Sequence, residues 1–137
     1  MAKNTPFSDI TVLDFSRYLP GGYATQVLAD LGATVIKVED TGLGDFMRHD
    51  YPTKGGGISY YITALGRNKK SVSLNLKNEE VVDWFLKMAQ EADIIVESFR
   101  PGVTAKLGID YESIKKLNPG IIYCSISGYG ANDPRSK

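Results

Sequence analysis

The chain has 137 residues, enough to bury the core of one domain and few for a complete α/β enzyme. Sixteen Lys and Arg residues balance sixteen Asp and Glu, so no bulk field recruits nucleic acid or an anionic membrane, and anion binding falls to local clusters. The start Met1-Ala2-Lys3-Asn4-Thr5 lacks the apolar core of a signal peptide and no membrane-length apolar run occurs, so a soluble cytoplasmic protein is expected.

Ile10-Thr11-Val12-Leu13-Asp14-Phe15 is short and rich in β-formers, and the breaker Pro20-Gly21-Gly22 marks the loop after it. Ala24, Val27, Leu28 and Leu31 then fall on one helical stripe that Gly32 closes. Val35-Ile36-Lys37-Val38-Glu39 reads as a second strand, which makes Ile10 to Glu39 a βαβ unit with parallel strands and a right-handed crossover. Glu39 ends that strand where an acid could hold ribose hydroxyls. Pro20-Gly21-Gly22, however, lacks the G-x-G-x-x-G spacing that lets a pyrophosphate approach the backbone, which argues against nicotinamide or flavin binding.

Residues 40–59 hold few apolar residues and many breakers, a composition expected of a lid or binding loop. Within it an Asp45–Arg48 pair is expected, the only histidine, His49, reads as solvated, and Gly55-Gly56-Gly57 reads as a loop tip. Ser59–Leu65 fits either helix or strand. The run Gly66-Arg67-Asn68-Lys69-Lys70 is either a solvated basic turn or a phosphate contact, and it precedes the alternating strand Ser71–Leu76.

Asn78 is placed to cap a helix whose core stripe is Val81, Trp84, Phe85, Met88, Ala89 and Ala92. The strand Asp93–Val96 follows and opens into Glu97-Ser98-Phe99-Arg100-Pro101-Gly102. This motif either is a tight turn with a solvated Arg or presents an exposed Phe99 ring beside Arg100 and Lys106 to a ligand with a flat ring and phosphates. Asp110 caps a short helix that ends at Asn118-Pro119-Gly120. Ile121–Ile126 reads as a buried strand holding Cys124, whose expected role is that of a small buried hydrophobe. The alternation predicts an α/β fold, a doubly wound and mostly parallel sheet of about five strands, with the loops after Phe15, Glu39, Val96 and Ile126 on one edge.

Taken together the motifs resemble the class III CoA-transferases, the family of formyl-CoA transferase, carnitine CoA-transferase and the related α-methylacyl-CoA racemases. The matching stretches are Val12-Leu13-Asp14, Leu28 to Ala33, Val35 to Glu39, Gly44-Asp45 with Arg48, and Asn68 to Val72. Ala92-Asp93, Ser98 to Gly102, Lys106-Leu107-Gly108, Leu117-Asn118-Pro119 and Ser125 to Gly130 complete the order.

The resemblance implies that residues 1–137 are the N-terminal part of the Rossmann-like domain of a larger enzyme and bind coenzyme A without a metal. It assigns the coenzyme contacts to Leu74, Asn75, Leu76 and Lys77, to Ser98, Phe99 and Arg100, and to Lys106. Ser98 stands where many members have Asn and Lys106 where many have Arg, which keeps the charge and loses the bidentate fork. Pro20-Gly21-Gly22 also departs from the Gly-Pro common in the family.

The implied reaction moves CoA from an acyl-CoA to a carboxylic acid through an aspartyl-CoA intermediate. The nucleophile lies past Lys137, so residues 1–137 alone are expected to be inactive, and the full-length enzyme is expected to be an interlocked homodimer. The alternatives are part of an acyl-CoA racemase, which exchanges an α-proton, and a non-catalytic CoA-binding module.

Overall fold

The computed structural model describes residues 5–50, 53–54 and 57–136. The first unit is β1 (Thr11–Phe15), α1 (Tyr18–Asp30) and β2 (Thr34–Glu39). A 3₁₀ turn over Phe46–Arg48, a small antiparallel ribbon of β3 (Thr53–Lys54) and β4 (Ile58–Ser59), and α2 (Tyr60–Leu65) lead into β5 (Lys69–Ser73). Then come α3 (Glu79–Gln90), β6 (Ile94–Glu97), α4 (Val103–Lys106), α5 (Tyr111–Leu117) and β7 (Ile122–Ser125). The expected Gly55-Gly56-Gly57 tip lies, in its first two residues, outside the described residues. Among the described residues no helix is long and apolar enough to cross a membrane.

The main sheet has the strand order β5-β2-β1-β6-β7 and every pairing in it is parallel. Winding therefore reverses between β1 and β6, and the loops leaving their carboxyl ends diverge around a crevice. Helices cover both faces, as a doubly wound sheet requires. On one side Leu13, Phe15 and Ile95 pack on Phe85, Ala89 and Ile114, with the Phe15 and Phe85 rings edge-to-face at 4.6 Å. Burying Phe85 completely contributes about 2–3 kcal/mol. On the other side Val12, Val35 and Val96 meet Ala29 of α1 and Ala33 in the turn that follows it.

The α1 side is only half apolar, because Asp14 and Lys37 sit in register on the same face and are both buried. Asp14 accepts from the Ser16 amide (2.9 Å) and hydroxyl (2.5 Å), the Thr25 hydroxyl (2.6 Å) and Lys69 Nζ (3.1 Å). Lys37 Nζ lies 2.8 Å from Asp45 Oδ2 and 3.8 Å from Asp14, and donates to the Ser16 carbonyl. Lys69 is held as well by the Gly22 carbonyl (2.9 Å) and the Thr25 hydroxyl (2.6 Å). Burial lowers its pKa against the pull of Asp14. A buried charge of either sign is tolerated only when paired in this way.

This lattice explains where the helix departs from its predicted form. The helix begins at Tyr18 and contains Pro20-Gly21-Gly22, which is not a loop. Proline in the first turn forfeits no helical bond. A Cβ on Gly21 would come within 2.1 Å of the Ser16 side chain, so only glycine lets the helix lie this close to β1. The buried face is Gly21, Gly22, Thr25, Gln26 and Ala29, small and polar groups that fit against charges, while Val27 and Leu31 of the expected stripe are exposed and Ala24 is too.

Other expectations change for similar local reasons. Arg48 pairs with Glu39 and leaves Asp45 to Lys37, so the Asp45–Arg48 pair does not form. In the basic run Arg67 is taken by Asp30 (2.5 Å) and Lys69 by Asp14, leaving Lys70 exposed. β5 ends at Ser73, so Leu74-Asn75-Leu76 is loop. Trp84 is 48% exposed and the α3 core face is Val82, Phe85, Leu86 and Ala89. β7 is an edge strand with Ile122 and Cys124 exposed, so Cys124 is no core residue. Asn78 and Asp110 cap α3 and α5 as expected.

Two stability tests follow from the lattice. Asp14→Ala strands Lys69 and part of Lys37 in the interior and is expected to cost about 3–5 kcal/mol. Urea unfolding reads this directly, and a loss under about 1 kcal/mol would show that the lattice relaxes.

Burial alone would raise the Glu39 carboxyl, but Arg48 (2.6 and 2.5 Å), Ser71 (2.7 Å) and the Asp45 amide (2.9 Å) outweigh it, and its pKa falls to about 2. A carboxyl lowered on folding stabilises above its ordinary value, 4.5, and loses that contribution as pH falls toward 2. Because the Arg48 end is open to solvent, the expected loss is about 2 kcal/mol, and Glu39→Gln should flatten the stability curve across that window.

Candidate functional site

The crevice at the reversal of winding is built by two short turns. After β1 the chain runs through Ser16 and Arg17 into Tyr18, which takes φ 60°, a left-handed conformation that costs a non-glycine residue about 1 kcal/mol or more. Tyr18 is held there by stacking on Phe46 at 5.7 Å between ring centroids. After β6 the Glu97 carboxylate accepts the Phe99 amide (2.7 Å), and the Ser98 hydroxyl accepts the Arg17 amide (2.8 Å), which ties the two turns together. Gly102, at φ 83°, supplies the corner into α4 that a side chain would strain.

Two concavities open from this crevice. One, of about 230 Å³, lies between the ends of β1 and β2, the loop after β5, and α4. Its walls are Phe15, Val38, Leu74, Leu76, Phe99, Val103 and Leu107, and Arg17, Asp40, Asn75 and Lys77 add polar groups to its lining. The other is a trench along Arg17, Pro20, Ser98, Phe99, Arg100, Ile126 and Gly128. An apolar slot with polar groups beside an open, largely apolar trench that carries the cations Arg17 and Arg100 suits a ligand with a flat, weakly polar end and a charged, extended remainder.

Of the residues predicted for the site, Leu74, Asn75, Leu76, Lys77 and Phe99 line the slot, and Ser98, Phe99 and Arg100 line the trench. Lys106 is exposed on the last turn of α4 and lines neither. Phe99 is not the exposed ring expected: it is half-buried, tilted against Phe15 at 6.4 Å, and turns its remaining surface to both concavities. Ser98 acts first on the backbone of Arg17. Glu39 and Lys37 line the slot's wall but are bound within the fold, so the ribose-binding role considered for Glu39 is closed by Arg48. His49 is exposed with a ring nitrogen 3.0 Å from the Leu43 carbonyl, and it lines neither concavity.

Sequence reasoning missed Arg17, Asp40, Val103 and Leu107. The signal that singles out Ser98–Arg100, a position just beyond a strand's carboxyl end, applies equally to Arg17 after β1 and Asp40 after β2. Val103 opens α4 and Leu107 caps its C-terminus one helical turn later, and together they form one wall of the slot.

Known proteins resemble this chain over most of its length. The family model for CoA-transferase family III matches residues 7–137. The chain is 43% identical over 129 residues to an acetyl-CoA:oxalate CoA-transferase of Acetobacter aceti, covering 94% of this chain and 33% of that protein. It is 42% identical over 132 residues to a succinyl-CoA:glutarate CoA-transferase of Homo sapiens, covering 96% of this chain and 30% of that one. The crystal structure of a CAIB/BAIF family protein from Brucella suis superposes with a TM-score of 0.90 at 38% identity, over 98% of this chain and 36% of that chain. The chain thus spans about a third of the length of the relatives it matches. With the sheet order, the crevice and the matched sequence in agreement, the chain belongs to CoA-transferase family III.

Proposed function

We propose that residues 1–137 form the coenzyme-A-holding, N-terminal part of an enzyme that moves CoA from an acyl-CoA to a carboxylic acid. The observation that carries this reading is the slot lined by Leu74–Lys77 and Phe99, continuous through Phe99 and Val103 with the trench at Ser98 and Arg100. The slot is suited to the adenine ring, which stacks and needs few polar partners, and the trench to the phosphates and the extended arm. The relatives' names, which pair acyl-CoA donors with oxalate or glutarate, favour transfer over racemisation.

By the same reading a carboxylate elsewhere in the enzyme attacks the thioester carbonyl and expels the CoA thiolate. That thiolate then attacks the resulting anhydride at the enzyme's own carbonyl, releasing the first carboxylic acid and leaving an aspartyl-CoA thioester. Residues 1–137 supply binding and not this nucleophile. Asp14 and Asp45 are buried in ion pairs, and Asp133 is engaged by Arg135 at 2.9 Å. The homodimer belongs to the full-length enzyme, and the cytoplasm remains the expected location.

Calorimetric titration of the chain with coenzyme A is expected to show saturable binding, weakened about tenfold or more by Arg100→Ala and by Phe99→Ala and less by Lys106→Ala. Absence of binding by a folded chain would remove the coenzyme site from these residues. The chain alone is expected to give no transfer of CoA from succinyl-CoA to oxalate or glutarate, and measurable turnover would place a nucleophile within it.

A further inference from the structure

Among the described residues, Arg17 is the one cation that lines both the slot and the trench. Lys37 and Lys77 line only the slot, and Arg100 only the trench, of these two concavities. Lys37 is in any case committed to the buried lattice. Arg17 stands at the reversal of winding, with its backbone fixed by Ser98. Its guanidinium lies over two aromatic rings, 5.0 Å from the centroid of Phe46 and 5.8 Å from that of Phe99. Rings this close accept no in-plane hydrogen bonds and leave the guanidinium's N–H edge to oxygen acceptors. Among the described residues that edge makes one side-chain hydrogen bond, from a single nitrogen to Asp40 at 3.2 Å, with both side chains over a third exposed. A planar fork that is oriented, solvent-accessible and only singly engaged is a ready receptor for an oxyanion.

We propose that Arg17 receives the diphosphate of the coenzyme where the ligand passes from slot to trench, and that Asp40 holds the guanidinium in place until phosphate displaces it. The inference rests on the coenzyme reading above and adds a residue and an exchange to it. Coenzyme A carries adenine and a ribose 3′-phosphate at one end, an uncharged pantetheine arm at the other and a diphosphate between them, so its diphosphate needs a cation where the two concavities join, and Arg17 is the group at that junction. A diphosphate oxyanion carries more charge than one carboxylate and accepts a two-point fork, so it competes with the single Arg17–Asp40 contact. The displaced Asp40 is 40% exposed and passes to solvent rather than being stranded in the interior.

The test uses three probes on the 137-residue chain: coenzyme A, ADP and adenosine, titrated by calorimetry or by NMR shifts where binding is weak. The variants are Arg17→Met, which keeps an apolar stem on the two rings, Asp40→Asn, and Phe99→Ala as a control for the slot. Arg17→Met is expected to weaken coenzyme A and ADP about tenfold or more, to leave adenosine unchanged, and to reduce the salt dependence of coenzyme A binding. Asp40→Asn is expected to tighten ADP several-fold by removing the competitor.

Equal weakening of ADP and adenosine by Arg17→Met would overturn the proposal, because it would make Arg17 a brace for the aromatic rings. Unchanged ADP binding in Arg17→Met, with Phe99→Ala still weakening it, would overturn the proposal and leave the coenzyme site standing. If coenzyme A, ADP and adenosine all fail to bind the folded wild-type chain, the coenzyme reading itself fails and this inference with it.

Discussion

Everything at the carboxyl edge of the sheet depends on the buried lattice in which Asp14 is shared between Lys37 and Lys69, and Lys37 between Asp14 and Asp45. Ion pairs this deep contribute little net stability, since desolvation consumes most of what attraction returns. Their effect is positional. Lys37 draws Asp45 down onto β2, and Asp45 caps the 3₁₀ turn of Phe46–Arg48 through its contact with the Met47 amide at 3.0 Å. That turn sets Phe46 under both Tyr18 and Arg17, so an aromatic shelf at the crevice is fixed by charges in the interior.

The same chain of contacts accounts for the strained turn after β1. Tyr18 adopts a conformation that a bulky residue avoids, and it does so where its ring rests on Phe46 and the preceding amide is taken by Ser98. Turns β1–α1 and β6–α4 are therefore set relative to each other by side chains rather than by sheet hydrogen bonds alone. The direction of Arg17 is inherited from both turns.

Much of this was legible in the residues. The β-rich runs, the helix caps Asn78 and Asp110, and the alternation of elements carry the fold, because hydrophobic periodicity and capping chemistry are local. As linings of the two concavities, Ser98–Arg100 was legible by its place after a strand and through family resemblance, and Leu74–Lys77 through the resemblance alone, since Leu74 to Leu76 read as strand. What was not legible turns on charge burial. Asp14 and Lys69 read as surface residues by type, and nothing in their spacing shows that each is the other's partner across 55 positions. For the same reason the stripe of α1 was misread, since its buried face answers to charges on the sheet and not to an apolar core. Cys124 and Ile122 were misread because a parallel strand looks equally apolar in the middle of a sheet and at its edge.

That edge gives the sheet a polarity. Its two outer strands are β5 and β7, and they differ in what they show to an approaching backbone. β5 carries Lys69-Lys70-Ser71, with Lys70 and Ser71 exposed, and a charged edge of this kind discourages pairing with a further strand. β7 shows Ile122, Cys124 and Ser125 with no charge among them. An approaching backbone therefore meets a guarded side at β5 and an unguarded one at β7, so the two edges of one sheet differ in their resistance to strand pairing.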